Sequence, residues 1–284
     1  MTSSVSTHTS WELSGFGDEI DTDPIVQVAV LQSLGAHFVE VRSAWGVNVI
    51  DLSEEQLSTL STILSEREMG VSAIASPIGK VDVALPIDHE VRRLGAAIVA
   101  AQRLGSRYIR LFSFYRQAGR SPTSTRDDVL VRMRALADLA ERENVILLHE
   151  NEKDIYGDTP ERVLDIVESV GSSALRLAWD NANFVQVGVK PFTDGYRMLR
   201  PHLEYLQVKD AVAATGGVVP AGEGDGELLA TLTALRDDGY TGFASLEPHL
   251  TDTTALGGFS GPFAFGRAAR AFSRLTNQLG IQIA

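Results

Sequence analysis

The chain has 284 residues, 44% of them hydrophobic and 22% charged, which is enough to bury a full core. It has no cysteine, which excludes disulfides and thiolate metal sites, and its net charge of −12 without a Lys/Arg cluster argues against a nucleic-acid partner. The Ser/Thr-rich residues 1–10 carry no basic start or apolar segment, and no run approaches the ~18 apolar residues of a membrane span. We therefore expect a flexible tail over residues 1–10, a single domain over 11–284, no membrane partner and a cytoplasmic location.

Eight short apolar runs, separated by stretches with helical periodicity, predict eight strands. Their ends lie at Gly17, Arg42, Ser76, Phe112, Glu150, Asp180, Gln207 and Glu247. The spacing runs from 25 residues (17 to 42) to 40 residues (207 to 247), which is typical of one strand-helix unit per step. Near-continuously apolar strands indicate a parallel sheet buried on both faces. Eight such units in about 250 residues favour a single (β/α)₈ TIM barrel of the α/β class.

Several helix boundaries are also predicted by local sequence. Asp23-Pro24 supplies a cap and an N1 proline, and Ser53 to Gln56 has the form of a capping box. Thr159-Pro160 predicts another helix start, and Ser124 and Thr125 are taken as the start of the helix before it. Gly70 is predicted to end the second helix.

Four of the last strands end at groups that could bind a metal ion. Glu150, Asp180 and Glu247 are carboxylates, and Gln207 offers an amide oxygen. Strand ends meet at one face of a barrel, where three carboxylates would repel one another unless a cation neutralised them. Oxygen donors favour Mn²⁺ or Mg²⁺, with Co²⁺ as a further candidate. The alternative is that each carboxylate caps a helix or forms a salt bridge at the rim.

Five segments together resemble the xylose isomerase-like TIM barrel family of sugar phosphate isomerases and epimerases. They are HENEKDIYGDTPE (149–161), WDNANF (179–184), LQVKDA (206–211), VVPAGEGDG (218–226) and SLEPHL (245–250). The resemblance begins at GFGDEI and covers nearly the whole chain. It implies that Glu150, Asp180, the position of Gln207, and Glu247 hold one metal ion, and that the two glutamates form the catalytic acid/base pair.

The sequence departs from the family pattern at Gln207, where H-x-K-D is replaced by Q-x-K-D. An amide oxygen is neutral like histidine but is a weaker donor. Gln207 could instead bind substrate or a water molecule.

Four neighbouring residues are candidate substrate ligands: Arg42, Asn183, Lys209 and His249. Each has a structural alternative. Arg42 could pair with Glu40, Lys209 could pair with Asp210, Asn183 could be an ordinary turn residue, and His249 could lie on the surface.

The predicted activity is metal-dependent isomerisation or epimerisation of a keto-sugar. The two glutamates would move a proton through a metal-stabilised cis-enediolate. A lyase or dehydratase that eliminates a β leaving group from a keto-sugar could use the same first step. A non-catalytic barrel that binds a sugar or a partner is the third hypothesis. The sequence leaves the sugar, its phosphorylation and assembly into a homo-oligomer open.

Overall fold

Eight parallel strands form the centre of the computed structural model, which describes residues 10–251 and 258–284. They are β1 (Ser10–Gly15), β2 (Phe38–Val41), β3 (Gly70–Ala75), β4 (Tyr108–Leu111), β5 (Ile146–Glu150), β6 (Leu175–Asp180), β7 (Leu203–Val208) and β8 (Phe243–Leu246). Each coincides with a predicted run, because each is apolar enough to be buried on both faces.

The strands curl into a barrel in which neighbours along the chain are neighbours in the sheet. The order is β1, β8, β7, β6, β5, β4, β3, β2, and a parallel bridge between Phe16 and Glu40 joins the first strand of this order to the last. A short ninth strand, Gln282–Ile283, pairs with the outer start of β1. The predicted single-domain TIM barrel is confirmed. Residues 1–9 of the expected tail lie outside the described residues, and Ser10 already belongs to β1.

Helices surround the barrel. They are α1 (Pro24–Ser33), α2 (Glu54–Glu66), α3 (Ile87–Leu104), α4 (Pro122–Arg142), α5 (Pro160–Val170), α6 (Asn181–Gln186), α7 (Arg197–Leu199), α8 (Leu228–Asp237) and α9 (Gly261–Leu279). A π-helical turn, Pro191–Tyr196, leads into α7, and 3₁₀ turns lie at Gly17–Glu19, Val49–Asp51 and Arg200–His202. Two small hairpins pair Ser43–Ala44 with Val47–Asn48 and Asp210–Ala211 with Val218–Val219. Among the described helices, none is both long and apolar enough to cross a membrane.

The local capping signals were correct at two helices. Asp23 caps α1 through its side chain, and Ser53 and Gln56 form the complete capping box of α2. Two other boundaries were wrong. Helix α4 begins at Pro122 with Ser121 as its cap, because Ser-Pro already supplies a cap and an N1 proline ahead of Ser124. Gly70 starts β3 and does not end α2.

The barrel interior is layered. Tyr108, Tyr205 and Phe243 pack edge-on or tilted against one another at its amino-terminal end. Above them, Tyr205 Oη reaches Ser72 Oγ and Glu40 Oε2, both at 2.9 Å. The carboxyl ends of the strands lie beyond this polar layer. The barrel interior is therefore filled with side chains below the candidate site, and charged side chains lie at the site itself.

Candidate active site

The carboxylates of Glu150, Asp180 and Glu247 meet at the carboxyl end of the barrel. Each offers an oxygen within 4.8 Å of the others, and the three side chains are almost completely buried. Strands β5, β6 and β8 place them there, because each residue closes or directly follows its strand. Buried like charges at such distances require compensating cations.

Among the described residues, two buried cations lie within 3.0 Å of this cluster. Lys209 Nζ lies 2.7 Å from Asp180 Oδ2 and 3.0 Å from Glu247 Oε2. Arg110 Nη1 lies 3.0 Å from Glu150 Oε2. A third cation, Arg42, lies 3.4 Å from Glu247 Oε1, so an ammonium and two guanidinium groups contact the three carboxylates.

Gln207 lies next to the cluster, in register with Asp180 on the neighbouring strand. Its Nε2 donates to Glu40 Oε1 at 3.1 Å and approaches Glu40 Oε2 at 3.3 Å. Its Oε1 is buried and has no hydrogen-bond partner among the described residues. A buried amide oxygen is rarely left without a partner, so this atom is free to accept a water molecule or a cation.

Asp180 serves two partners at once. Its Oδ1 accepts a hydrogen bond from the backbone N–H of Asn183 at 2.9 Å and caps α6, while Oδ2 faces Lys209. Asn183 is itself 3% exposed, and its Nδ2 donates to Glu150 Oε1 at 3.0 Å and to the carbonyl of Asn151 at 2.9 Å. Asn183 is therefore more than a turn residue, because its amide holds one of the carboxylates in place.

Arg42 and His249 both contact Glu247 Oε1. Arg42 Nε lies 2.8 Å from Asp18 Oδ2, and its Nη1 lies 3.4 Å from Glu247 Oε1. His249 Nε2 lies 3.1 Å from Glu19 Oε1 and 3.3 Å from Glu247 Oε1. His249 thus faces the site, and the alternative of a surface role is wrong.

The alternative pairing of Lys209 with Asp210 is also wrong. The carboxylate of Asp210 accepts backbone hydrogen bonds from Gly222, Gly224 and Gly226 at 2.9, 3.1 and 2.9 Å. The side chains of Lys209 and Asp210 point in opposite directions, as those of consecutive residues in an extended segment do. Lys209 enters the site, and Asp210 anchors the glycine-rich loop.

Burial and charge shift the ionisation of the cluster unequally. Burial raises the pKa of Glu150 to about 8, although Arg110 opposes the shift, and it raises the pKa of Asp180 to about 6 against the effect of Lys209. Burial would also raise the pKa of Glu247, but Lys209 and His249 outweigh it and hold that pKa well below its usual value. The two glutamates are thus inequivalent, since Glu247 has more cationic neighbours.

The site opens into a cavity of about 360 Å³. Charged groups of both signs line it, among them Arg42, Arg110, Glu150, Lys209 and Glu247. Lys80 and Phe112 contribute a cationic and an aromatic wall, with Nζ 4.2 Å from the ring centroid. A cavity of this size and polarity suits a small polar molecule.

Sequence reasoning missed three residues of the site: Arg110, Glu19 and the role of Glu40. Arg110 and Glu40 each interrupt an apolar strand, and an inward-facing charge in such a strand was the available signal. Glu19 follows β1 in the sequence GDE, so it too is an acidic residue just beyond a strand end.

The donor set fits an oxygen-preferring divalent cation. Three buried carboxylates converge, and Gln207, in register with Asp180, has a carbonyl oxygen without a partner among the described residues. Hard cations such as Mg²⁺ and Mn²⁺ prefer such ligands. Because the Lys209 ammonium contacts two of the carboxylates, a cation at this point would have to share them or displace it.

A family model described as "Xylose isomerase-like TIM barrel" matches residues 28–271. This range contains all eight predicted site residues and seven of the eight barrel strands. The chain belongs to this family. The resemblance found in the sequence motifs is therefore confirmed.

One characterised relative matches part of the chain. It is the 2-epi-5-epi-valiolone 7-phosphate 2-epimerase of Actinoplanes sp. (strain ATCC 31044 / CBS 674.73 / SE50/110), 34% identical over 104 residues. The match spans 37% of this chain and 37% of the epimerase.

Solved structures share the fold along nearly the whole chain. The probable 3-DHS dehydratase of petrobactin synthesis from Bacillus anthracis has a TM-score of 0.73 and 17% identity, covering 93% of this chain and 98% of its own. A xylose isomerase-like TIM barrel protein from Mycobacterium smegmatis, in complex with magnesium, has a TM-score of 0.71 and 18% identity, covering 96% and 98%. At these identities the structural likeness establishes the fold.

Proposed function

We propose that this protein is a divalent-metal-dependent isomerase or epimerase of a keto-sugar or related polyol ketone. The observation that carries the proposal is the convergence of three buried carboxylates at the carboxyl end of the barrel. Gln207, in register with one of them, adds a buried oxygen without a hydrogen-bond partner among the described residues. The partial similarity to a 2-epi-5-epi-valiolone 7-phosphate 2-epimerase supports the reaction class. The magnesium complex of a fold neighbour supports the cofactor class.

The residues that would hold the metal ion are Glu150, Asp180, Gln207 and Glu247. A bound divalent ion would withdraw electron density from a carbonyl and a neighbouring hydroxyl of the substrate. This acidifies the C–H bond of the hydroxyl-bearing carbon next to the carbonyl. Glu150 and Glu247 lie on different strands and face the same cavity, so they can approach a substrate from two sides. One would remove the proton and the other would return it, on the opposite face or on the adjacent carbon.

Four further residues would orient the substrate, three by direct contact and Asn183 through Glu150. Lys209 and Arg42 place cations beside Glu247, and His249 adds a ring nitrogen at 3.3 Å from it. Hydrogen bonds from such groups to substrate hydroxyls favour one orientation in the cavity. Asn183 would act through Glu150, since its amide donates to Glu150 Oε1 at 3.0 Å.

Elimination of a β leaving group is the second candidate reaction. Elimination needs the same proton abstraction, and it also needs an acid that protonates the oxygen of the leaving group. His249 lies next to Glu247 in the same cavity and could supply that proton.

The test follows the step that both reactions share. The protein is incubated in deuterium oxide with Mn²⁺ or Mg²⁺ and D-fructose, D-tagatose, D-allulose or D-fructose 6-phosphate, and exchange at the carbon beside the carbonyl is followed by NMR. We expect exchange with at least one ketose. An isomeric sugar as product supports isomerisation or epimerisation, and an unsaturated or dehydrated product supports elimination.

Glu150→Gln and Glu247→Gln should each lower this exchange by at least about a hundredfold, because each removes an acid/base group. Glu204→Gln is the matched control, since Glu204 lies on β7 toward the far end of the barrel and pairs with Tyr108 and Arg176. Wild-type exchange no faster than that of the Glu150→Gln, Glu247→Gln double variant would contradict the proposed function and favour a binding protein.

A further inference from the structure

Among the described residues, one side chain, Glu40, hydrogen-bonds the Gln207 amide. Gln207 is fully buried, and its NH₂ group lies 3.1 and 3.3 Å from the two oxygens of Glu40. The two ends of an amide have nearly the same shape, so an amide without such a partner can turn over and exchange its oxygen and nitrogen. The partner of the NH₂ group therefore decides where the oxygen points.

Glu40 is built into the barrel as an acceptor. It is fully buried in the middle of β2, and its Oε2 also accepts from Tyr205 Oη at 2.9 Å. Both of its carboxylate oxygens face the NH₂ group of Gln207, and a carboxylate oxygen can accept a hydrogen bond from that end of the amide but not from the carbonyl end. Glu40 thus directs Oε1 of Gln207 away from itself.

The oxygen directed away from Glu40 finds no hydrogen-bond partner in the described part of the chain. It belongs to the residue in register with Asp180, one of the three clustered carboxylates. Leaving a buried acceptor unpaired costs on the order of 1–3 kcal/mol. A cation or a water molecule between this oxygen and the carboxylates would remove that cost.

We propose that Glu40 is a positioning residue that turns the carbonyl oxygen of Gln207 toward the metal ion, an inference that rests on the proposed metal-dependent function. A histidine at this position would bind metal through a ring nitrogen, whereas glutamine has only one end that can do so. By holding the NH₂ group, Glu40 leaves the carbonyl end of the amide facing the metal ion. Glutamine can then replace histidine at this strand end without losing the ligand.

Titration of the protein with Mn²⁺ alone, followed by calorimetry and by the spin-resonance signal of free Mn²⁺, tests the proposal. In Glu40→Gln the new amide can face Gln207 with its own NH₂ group, which lets the Gln207 amide turn over. We expect Mn²⁺ to bind at least about tenfold more weakly, as when a group that supports a metal ligand is removed. Glu40→Asp, which keeps the charge and withdraws it by one methylene, should weaken binding in the same direction.

Two further variants separate positioning from general damage to the core. Tyr205→Phe removes the other hydrogen bond to Glu40, and it should change Mn²⁺ affinity less than either Glu40 variant. Adding Gln207→His to Glu40→Gln should restore affinity, because the imidazole ligand does not depend on the orientation of an amide.

Folded Glu40→Gln or Glu40→Asp protein that binds Mn²⁺ as tightly as the wild type would overturn this inference and leave the proposed function standing. Equal weakening by Tyr205→Phe would likewise overturn it. A wild-type protein that binds no Mn²⁺ would overturn the metal-dependent function and this inference together.

Discussion

At the scale of single residues, Lys209 has the most consequential position in the site. Its ammonium is fully buried between Asp180 and Glu247, two of the three carboxylates that could hold a metal ion. Burial alone would lower the pKa of Lys209, but these carboxylates outweigh it and raise the pKa well above its usual value. A cation of the protein itself therefore competes for the ligands that a metal ion would use.

Lys209→Met should accordingly raise the affinity for Mn²⁺ by about tenfold or more. A unit charge a few ångströms away contributes on the order of 1–4 kcal/mol, depending on the local dielectric. Turnover should fall in the same variant if Lys209 also orients the substrate. Calorimetric titration measures the first effect and the deuterium exchange assay the second.

Lys80→Met is the matched control, because Lys80 lines the same cavity but pairs with Glu152 at 3.1 Å. Its effect on Mn²⁺ affinity should be smaller. Unchanged or weaker Mn²⁺ binding by Lys209→Met would show that its ammonium does not compete with the metal ion.

At the scale of elements, the segment after β7 is organised by Asp210. Its carboxylate accepts three backbone hydrogen bonds from the glycine-rich loop and a fourth from its neighbour Ala211. A Cβ atom at Gly224 or Gly226 would lie 2.5 Å from Asp210 Oδ1, so the close approach of the loop requires glycine there. The sequence AGEGDG is thus explained by a carboxylate that the loop wraps around.

Asp210→Ala should destabilise the protein by about 2–4 kcal/mol, because it removes a buried acceptor shared by several backbone donors of the loop. Chemical denaturation measures the change in the free energy of unfolding. Hydrogen exchange should show lost protection at Gly222, Gly224 and Gly226.

Asp225→Ala is the control within the same loop, since Asp225 is exposed and accepts one backbone hydrogen bond, from Ala213. It should cost less than about 1 kcal/mol. Equal costs for the two variants would mean that Asp210 does not organise the loop.

At the scale of the whole molecule, the proposed metal site links five strands of the barrel. Glu150, Asp180, Gln207 and Glu247 come from or directly follow β5 to β8, and Glu40 contributes from β2. A ligand that binds only where these strands are assembled stabilises the whole fold by mass action. Metal binding should therefore be visible in global stability as well as in activity.

Mn²⁺ at a hundredfold excess over its dissociation constant should stabilise the folded protein by about 2.7 kcal/mol. For a chain of this length the melting temperature should rise by a few degrees relative to protein in chelator. Differential scanning calorimetry measures the shift. The same rise in the Glu150→Gln, Glu247→Gln double variant would place the bound metal elsewhere.

The sequence alone was sufficient for the barrel and for most of the candidate site. Apolar runs repeat with one helix per step, and the capping signals at Asp23 and Ser53 act over three residues or fewer. These features are local, so periodicity and residue type reveal them. Strand-end carboxylates were equally visible, because a barrel brings all carboxyl ends of its strands to one face.

Only the tertiary structure decided which of these groups touch. Glu247 meets Arg42 across 205 positions of sequence, and Gln207 meets Glu40 across 167. No local pattern indicates that Lys209 lies between Asp180 and Glu247, or that Arg110 pairs with Glu150. Those contacts depend on how distant strands are brought together around one axis, and the closure of the barrel fixes them.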